Sequence, residues 1–245
     1  PVRVNDNEKF IQRRAWLGTW GSWGGMGVLL LGLVISFNPN YFYISFGCLI
    51  LGFVLSQMGT YNAARFTRTP RQHERLERTL KGLDDRYALF NYLLPAAHVL
   101  LGPHGIIVFR LKDQSGEIQC TGERWKQKLT VGRVLTAFGS EGLGNPTRDV
   151  EDEAQTLQRF LEKHEIPTEN VPIRGVVLFL NPNAKLLLEN PTVPVLTAKQ
   201  VKQFLREPDR RRQFKATERK VLLARLEQLL GLAPSRAVEE EGEEA

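Results

Sequence analysis

HVLLGPHGIIVFRLKDQSGEIQCT, residues His98–Thr121, decides how the charged part of this chain folds. Two apolar runs, His98–Leu101 and Ile106–Leu111, flank Gly102-Pro103-His104-Gly105. Glycine and proline at such a join give a tight reversal, so the stretch predicts strand, turn, strand. Ser115-Gly116 marks a second turn and Glu117–Thr121 a third strand. Trp125–Leu129 continues the meander, and Tyr87–Leu94 precedes it as another strand.

Around this meander the apolar period changes. Leu76, Leu80 and Leu83 fall at helical spacing within Pro70–Leu83, and Val150, Ala154, Leu157 and Leu161 do so within Asp149–His164. Residues 138–147, with three glycines and a proline, read as a loop between them. Ile173–Leu180 is an almost unbroken apolar run, the pattern of a strand covered on both faces. Val193–Leu196 is a short strand, and Thr197 stands where it would cap a helix through Arg206. The order predicts an α/β domain over residues 70–206, a mixed central sheet flanked by helices.

Upstream, Ala15–Ala64 holds 50 residues without one charge. Trp16–Phe37 and Tyr41–Tyr61 are each long enough for a helix to cross about 30 Å of hydrocarbon, which takes roughly 20 residues. Asn38-Pro39-Asn40 makes the turn between them. Residues 16–61 therefore predict a transmembrane helical hairpin (16–37 and 41–61) behind an N-terminal arm, residues 1–15. Trp16, Trp20, Trp23, Tyr41, Tyr43 and Tyr61 are the expected membrane-interface aromatics. Arg3, Lys9, Arg13 and Arg14 precede the first span, and Arg65, Arg68, Arg71 and Arg75 follow the second. The turn carries none, so the positive-inside bias puts both termini and the soluble domain on the cytoplasmic side. Neither span contains an acid, a base or a histidine, which argues for an anchor over a proton path or ion channel. Gly21 and Gly25 form a G-x-x-x-G, a close-contact signal for membrane helices.

The chain carries 33 Lys+Arg against 27 Asp+Glu, a net +6, and only two cysteines, Cys48 and Cys120. That excludes a disulfide scaffold, and the uneven charge excludes a simple soluble globule or a wholly disordered chain. Residues 207–232 read as a basic stretch leading into an amphipathic helix, and 233–245 as an acidic tail. Two basic groupings suit an anionic partner: Arg124, Lys126, Lys128 and Arg133, which bracket Trp125, and the run Arg210, Arg211 and Arg212. Anionic lipid, an acidic protein surface and nucleic-acid phosphate all fit them; a neighbouring bilayer favours the first two. Gly142-Leu143-Gly144 lacks the lysine and spacing of a phosphate loop, and no G-x-S-x-G is present. His98, His104 and Cys120 lack the tight spacing of metal ligands and fit structural roles.

The stretch from about His73 to Phe204 resembles the nuclease-related domain, or NERD, family. The resemblance lies in an ordered set of phrases. A helix carries Glu74 and Leu80. Ala97-His98-Val99-Leu100-Leu101-Gly102-Pro103-His104-Gly105 is followed by Ile106-Ile107-Val108-Phe109-Arg110-Leu111-Lys112, then by Ser115-Gly116-Glu117-Ile118 and Trp125. Asn145-Pro146 opens a helix, Gly175-Val176-Val177-Leu178-Phe179 forms a late strand, and Val193-Pro194-Val195 precedes the closing helix. The family is similar to restriction-endonuclease-like nucleases, and its members often carry membrane spans. The resemblance implies a restriction-endonuclease-like sheet and a Mg²⁺ ion held by strand-end carboxylates, with a lysine two residues after the second acid. Lys112 and Glu74 match that pattern. Ala97 and Arg110 stand where the two acids belong, and Asp149 where a glutamine is typical. The resemblance with those replacements implies a degenerate site with no resident cofactor. It also implies a binding or accessory role beside the bilayer and other membrane-complex proteins. The alternative is a membrane-tethered, Mg²⁺-dependent nuclease or nucleic-acid-binding protein.

Overall fold

A computed structural model describes residues 2–67, 69–128, 142–166, 168, 171–207 and 215–232. They form two compact units. One comprises the described residues of Pro1–Asp6, Leu76–Gln127 and Leu143–Ala245, the other those of Asn7–Arg75 and Lys128–Gly142.

The first unit is mixed α/β, as the periodicity predicts. Its strands are β1 (Arg3–Asp6), β2 (Ala88–Asn91), β3 (His98–Gly102), β4 (Gly105–Lys112), β5 (Gly116–Thr121), β6 (Arg124–Gln127), β7 (Ile173–Phe179), β8 (Ala184–Glu189) and β9 (Val195–Thr197). Six of them form a sheet in the order β1-β2-β3-β4-β7-β9. The neighbours β2, β3 and β4 run antiparallel, while β1 joins β2, and β7 joins β4 and β9, in parallel. The β3–β4 turn requires glycine at Gly105: its φ is +100°, and a Cβ there would collide with the carbonyl oxygen of Pro172.

Helix α3 (Gln72–Leu80) places Leu76 and Leu80 in the core of one sheet face, with Leu89, Leu100 and Phe109. Helix α5 (Val201–Arg206) adds Val201 and Leu205 to that face. Helices α4 (Pro146–Lys163) and α6 (Ala216–Leu230) cover the other face, setting Val150, Leu157, Leu222 and Leu226 against Val99, Val108 and Phe179. Covering both faces explains the unbroken apolar runs of β4 and β7. Each fully buried Leu or Phe contributes about 1.5–3 kcal/mol.

Three features depart from the sequence reading, and two stretches lie beyond its test. The arm expected over residues 1–15 contains β1 and the start of a helix at Glu8. The meander does not stay in one sheet: β6-β5-β8 is a separate three-stranded sheet, and its β8 was not anticipated. The short strand lies at Val195–Thr197, and Thr197 does not cap the helix after it. Gln200 is the N-cap residue, and its Oε1 accepts from both the backbone N–H and the hydroxyl of Thr197. The acidic tail, 233–245, and the basic run before α6, 208–214, lie outside the described residues.

The second unit contains two helices long and apolar enough to cross a membrane, α1 (Glu8–Ser36) and α2 (Phe42–Phe66), joined by a 3₁₀ turn at Pro39–Tyr41. With 29 and 25 residues they span about 43 and 38 Å at 1.5 Å per residue. The Asn38 side chain closes the turn by accepting from the Asn40 N–H at 3.1 Å. Buried residues recur every seventh position, Ile11, Gly18, Gly25 and Gly32 on α1, and Ser45, Gly52, Gly59 and Phe66 on α2, where Asn62 is buried as well. A seven-residue seam is the pattern of left-handed helix crossing, and glycine on it lets backbones touch. Gly21 and Gly25 both lie at this contact, facing Gly59 and Ser56 respectively. The Ser45 hydroxyl donates across it to the Gly32 carbonyl at 2.9 Å. Trp16, Trp20, Trp23, Tyr41, Tyr43 and Tyr61 are all exposed.

Candidate functional site

Strand β4 ends at Arg110 and Lys112, whose side chains share the α4 side of the sheet with Val108. Helix α4 approaches that strand end closely because β7 offers Gly175 beneath it; a Cβ there would meet both methyls of Val150 at 2.9 Å. Asn145 caps α4, its Oδ1 accepting from the Arg148 N–H at 3.2 Å, and Pro146 supplies the first turn. Asp149 and Glu153, four residues apart, then share one helix face.

These acids meet the basic residues of β4. Arg110 Nη2 lies 3.1 Å from Asp149 Oδ2, and Arg110 Nη1 donates to Glu153 Oε1 at 2.7 Å. Lys112 Nζ is 4.0 Å from the same Asp149 oxygen, and its side chain is only 2% exposed. Arg110 and Glu153 side chains are 20% and 19% exposed, so this cluster of two cations and two carboxylates is mostly withdrawn from solvent. Charge-assisted hydrogen bonds of this kind are short and strong. Extending the β3–β4 register places Ala97 level with Arg110, with a methyl group as its only contribution to the site.

Residues 71–180 match the NERD, or nuclease-related domain, family model. The matched segment runs from just before α3 to just past β7, so it contains Ala97, Arg110, Lys112, Asp149 and Glu153. No curated protein and no solved structure matches the chain.

Within the NERD segment, Glu74 has a local task. Its Oε2 accepts from the Arg71 N–H at 3.0 Å, which closes the first turn of α3. His98 is buried on the α3 side of the sheet, where its Nδ1 pairs with Asn91 Oδ1 at 2.8 Å. Asn91 in turn donates to Asp6 Oδ1 at 2.8 Å and Glu77 Oε1 at 3.4 Å. Cys120 is buried and donates to the Gly122 carbonyl at 3.3 Å; burial pushes its thiol up from the ordinary value. Among the described residues, no metal-ligand grouping includes His98, His104 or Cys120.

Arg124 and Lys126 are exposed along one side of β6, and Lys128 beyond it is exposed too. Trp125 turns inward: its Nε1–H donates to the Thr147 hydroxyl at 2.8 Å, and its ring sits 6.0 Å from that of Phe179. It braces α4 and is not a free stacking surface for bases. Arg133, Arg210, Arg211 and Arg212 lie outside the described residues.

The NERD segment also contributes to a cleft of about 500 Å³ lined by Asp84, Arg86, Tyr87, His104, Arg206 and Arg219 among others. Three guanidinium groups against one carboxylate give it excess positive charge. The side-chain hydrogen bond from Arg86 at 2.8 Å holds Asp84 below the usual carboxylate range. Burial pushes the Tyr87 phenol up, and its hydroxyl donates to the Leu205 carbonyl at 3.0 Å.

Glu153 escaped the sequence reading. The signal was there in its spacing, four residues beyond Asp149, but that spacing speaks only once the helix face turned toward β4 is known.

Proposed function

We propose that this chain is a membrane-anchored, nuclease-related protein whose hydrolytic site is inactive and whose work is binding, as an accessory subunit of a membrane complex. The observation that carries this reading is the guanidinium of Arg110 held between Asp149 and Glu153. Mg²⁺ needs hard oxygen ligands that are free to point at it. The two carboxylates nearest Lys112 are already turned toward a fixed cation, and Ala97 offers no oxygen. An ion about 4 Å from that guanidinium would meet roughly 4 kcal/mol of repulsion per unit charge at an effective dielectric of 20, and about twice that for a divalent ion. The donor set does not fit Mg²⁺.

Anchoring rests on α1 and α2, whose exposed large side chains are mainly aromatic and aliphatic along the uncharged run. Strand β1 precedes α1 yet shares a sheet with strands that follow α2. Two crossings return the chain to the side it left, in keeping with that shared sheet, and the flanking arginines and lysines favour the cytoplasmic side.

The test is a cleavage assay of the full chain in detergent micelles, with duplex DNA, single-stranded DNA and RNA, in Mg²⁺ and in Mn²⁺. No cleavage is expected, and neither ion should raise the melting temperature. Metal-dependent cleavage abolished by Lys112→Ala overturns the inactive reading in favour of a tethered nuclease.

A further inference from the structure

The three-stranded sheet ends on β8, and among the described residues no strand pairs with its outer side. Its sequence, Ala184-Lys185-Leu186-Leu187-Leu188-Glu189, is unusual for an edge, because Leu187 is 47% exposed and Leu188 39%. Natural edges are ordinarily blunted by proline, bulges or charged side chains, lysine above all. Strand β8 carries Lys185 and Glu189 but no proline or bulge, and pairs with β5 in continuous register from Ala184 to Glu189.

The backbone polarity of this edge follows from two hydrogen bonds. The Gly116 N–H donates to the Asn183 carbonyl at 2.9 Å, and the Gly122 N–H to the Glu189 carbonyl at 3.0 Å. Odd-numbered residues of β8 therefore turn their peptide groups toward β5. Leu186 and Leu188 turn theirs outward, away from the sheet. Side chains of Lys185, Leu187 and Glu189 line one face of β8, level with Glu117, Gln119 and Thr121 of β5.

We infer that β8 is a self-complementary docking edge for β8 of a second copy of this chain, paired antiparallel about a two-fold axis at Leu187. The charge pattern selects that partner. With Leu187 opposite its own copy, Lys185 falls opposite the partner's Glu189, and Glu189 opposite the partner's Lys185. Leu186 and Leu188 fall opposite each other as hydrogen-bonded pairs and exchange four backbone bonds across the axis. Lys185 and Glu189 occupy the non-hydrogen-bonded sites, where side chains approach most closely. One row then alternates in sign across the axis: Glu117, Lys185, the partner's Glu189. Glu189 keeps the 3.0 Å hydrogen bond from the Thr121 hydroxyl that already extends it along this row. A parallel copy would set like charges together. The product is one continuous six-stranded sheet, β6-β5-β8 and its two-fold mate. A contact of one strand per partner is smaller than a standard stable interface, so the dimer is reversible.

Disulfide trapping tests this on the full chain in detergent micelles, in a Cys48→Ser background. The non-hydrogen-bonded site at the axis sets the two copies of residue 187 at a Cα separation of about 4.5 Å, within disulfide range. Leu187→Cys is expected to give a covalent dimer under mild oxidation. Gln119→Cys, also exposed but on the inner strand β5, should stay monomeric. Lys185→Glu should cut the yield at Leu187→Cys about tenfold, because both cross-axis pairs become repulsive. Adding Glu189→Lys should restore it. Equal trapping at residues 119 and 187, indifference to Lys185→Glu, failure of the double reversal to rescue, a persistent monomer, or capture of a different polypeptide would each overturn the proposal. Unchanged far-UV circular dichroism shows that each variant has folded.

Discussion

Arg110 shows how one side chain can define a site. Its guanidinium bridges Asp149 and Glu153 and ties β4 to α4 across the sheet. Arg110→Ala should lower stability by about 1–3 kcal/mol, the range for losing charged hydrogen bonds in a partly buried setting, read as a drop in melting temperature. Arg110→Lys should recover only part of that loss, because an ammonium cannot fork between two carboxylates. Tyr87 offers a second test at this scale. Burial raises its folded phenol above the unfolded value, so the neutral form is favoured by folding. That stability is complete below the unfolded value and is lost as pH rises through the folded one. Melting temperature should therefore fall as pH rises past about 10, and Tyr87→Phe should flatten that fall. A curve for Tyr87→Phe that tracks the parent at every pH would remove the claim. At this scale Arg110, Lys112 and Asp149 were legible, since strand-end position and helix start are local properties. Glu153 was not.

Among the elements, the two apolar helices are held by absence of side chains. A Cβ on Gly25 would run into the backbone of Ser56 and lie 2.9 Å from the Gly52 carbonyl, whereas one on Gly24 would meet nothing within 4 Å. Gly25→Leu should thus separate α1 from α2 and destabilise the pair by at least about 1–3 kcal/mol, while Gly24→Leu should be tolerated. Both lose the same glycine flexibility, so thermal unfolding of the two variants isolates packing. The sequence announced two helices through composition alone, and the G-x-x-x-G pointed to the right contact. The longer seven-residue repeat became readable only with both helices aligned. The β3–β4 hairpin was legible because its turn is four residues of local chemistry. Strand β8 was missed because Lys-Leu-Leu-Leu-Glu does not alternate and its partner β5 lies over sixty residues away. Strand β1 was missed for a like reason, its partner β2 coming only after both long helices.

For the whole molecule, the net +6 gives way to a division: an uncharged hairpin, and an α/β unit that carries charges of both signs. The first strand is fastened to the last described helix by Arg3 Nη1, which lies 2.6 Å from Glu227 Oε1. Glu227 is buried with its side chain 3% exposed, while Arg3 is 38% exposed. Discounting for that exposure, Arg3→Ala should cost about 1–2 kcal/mol and make the N-terminus more open to limited proteolysis. Proteolysis at the parent rate would show that β1 is held by its backbone bonds alone.

Strand β1 also imposes an order on biosynthesis. A ribosome makes Arg3–Asp6 before their pairing partner, Ala88–Asn91, which emerges only after both long apolar helices have been synthesised. Strand β1 stays unpaired through that interval, so closure of this sheet edge comes after the hairpin has been made.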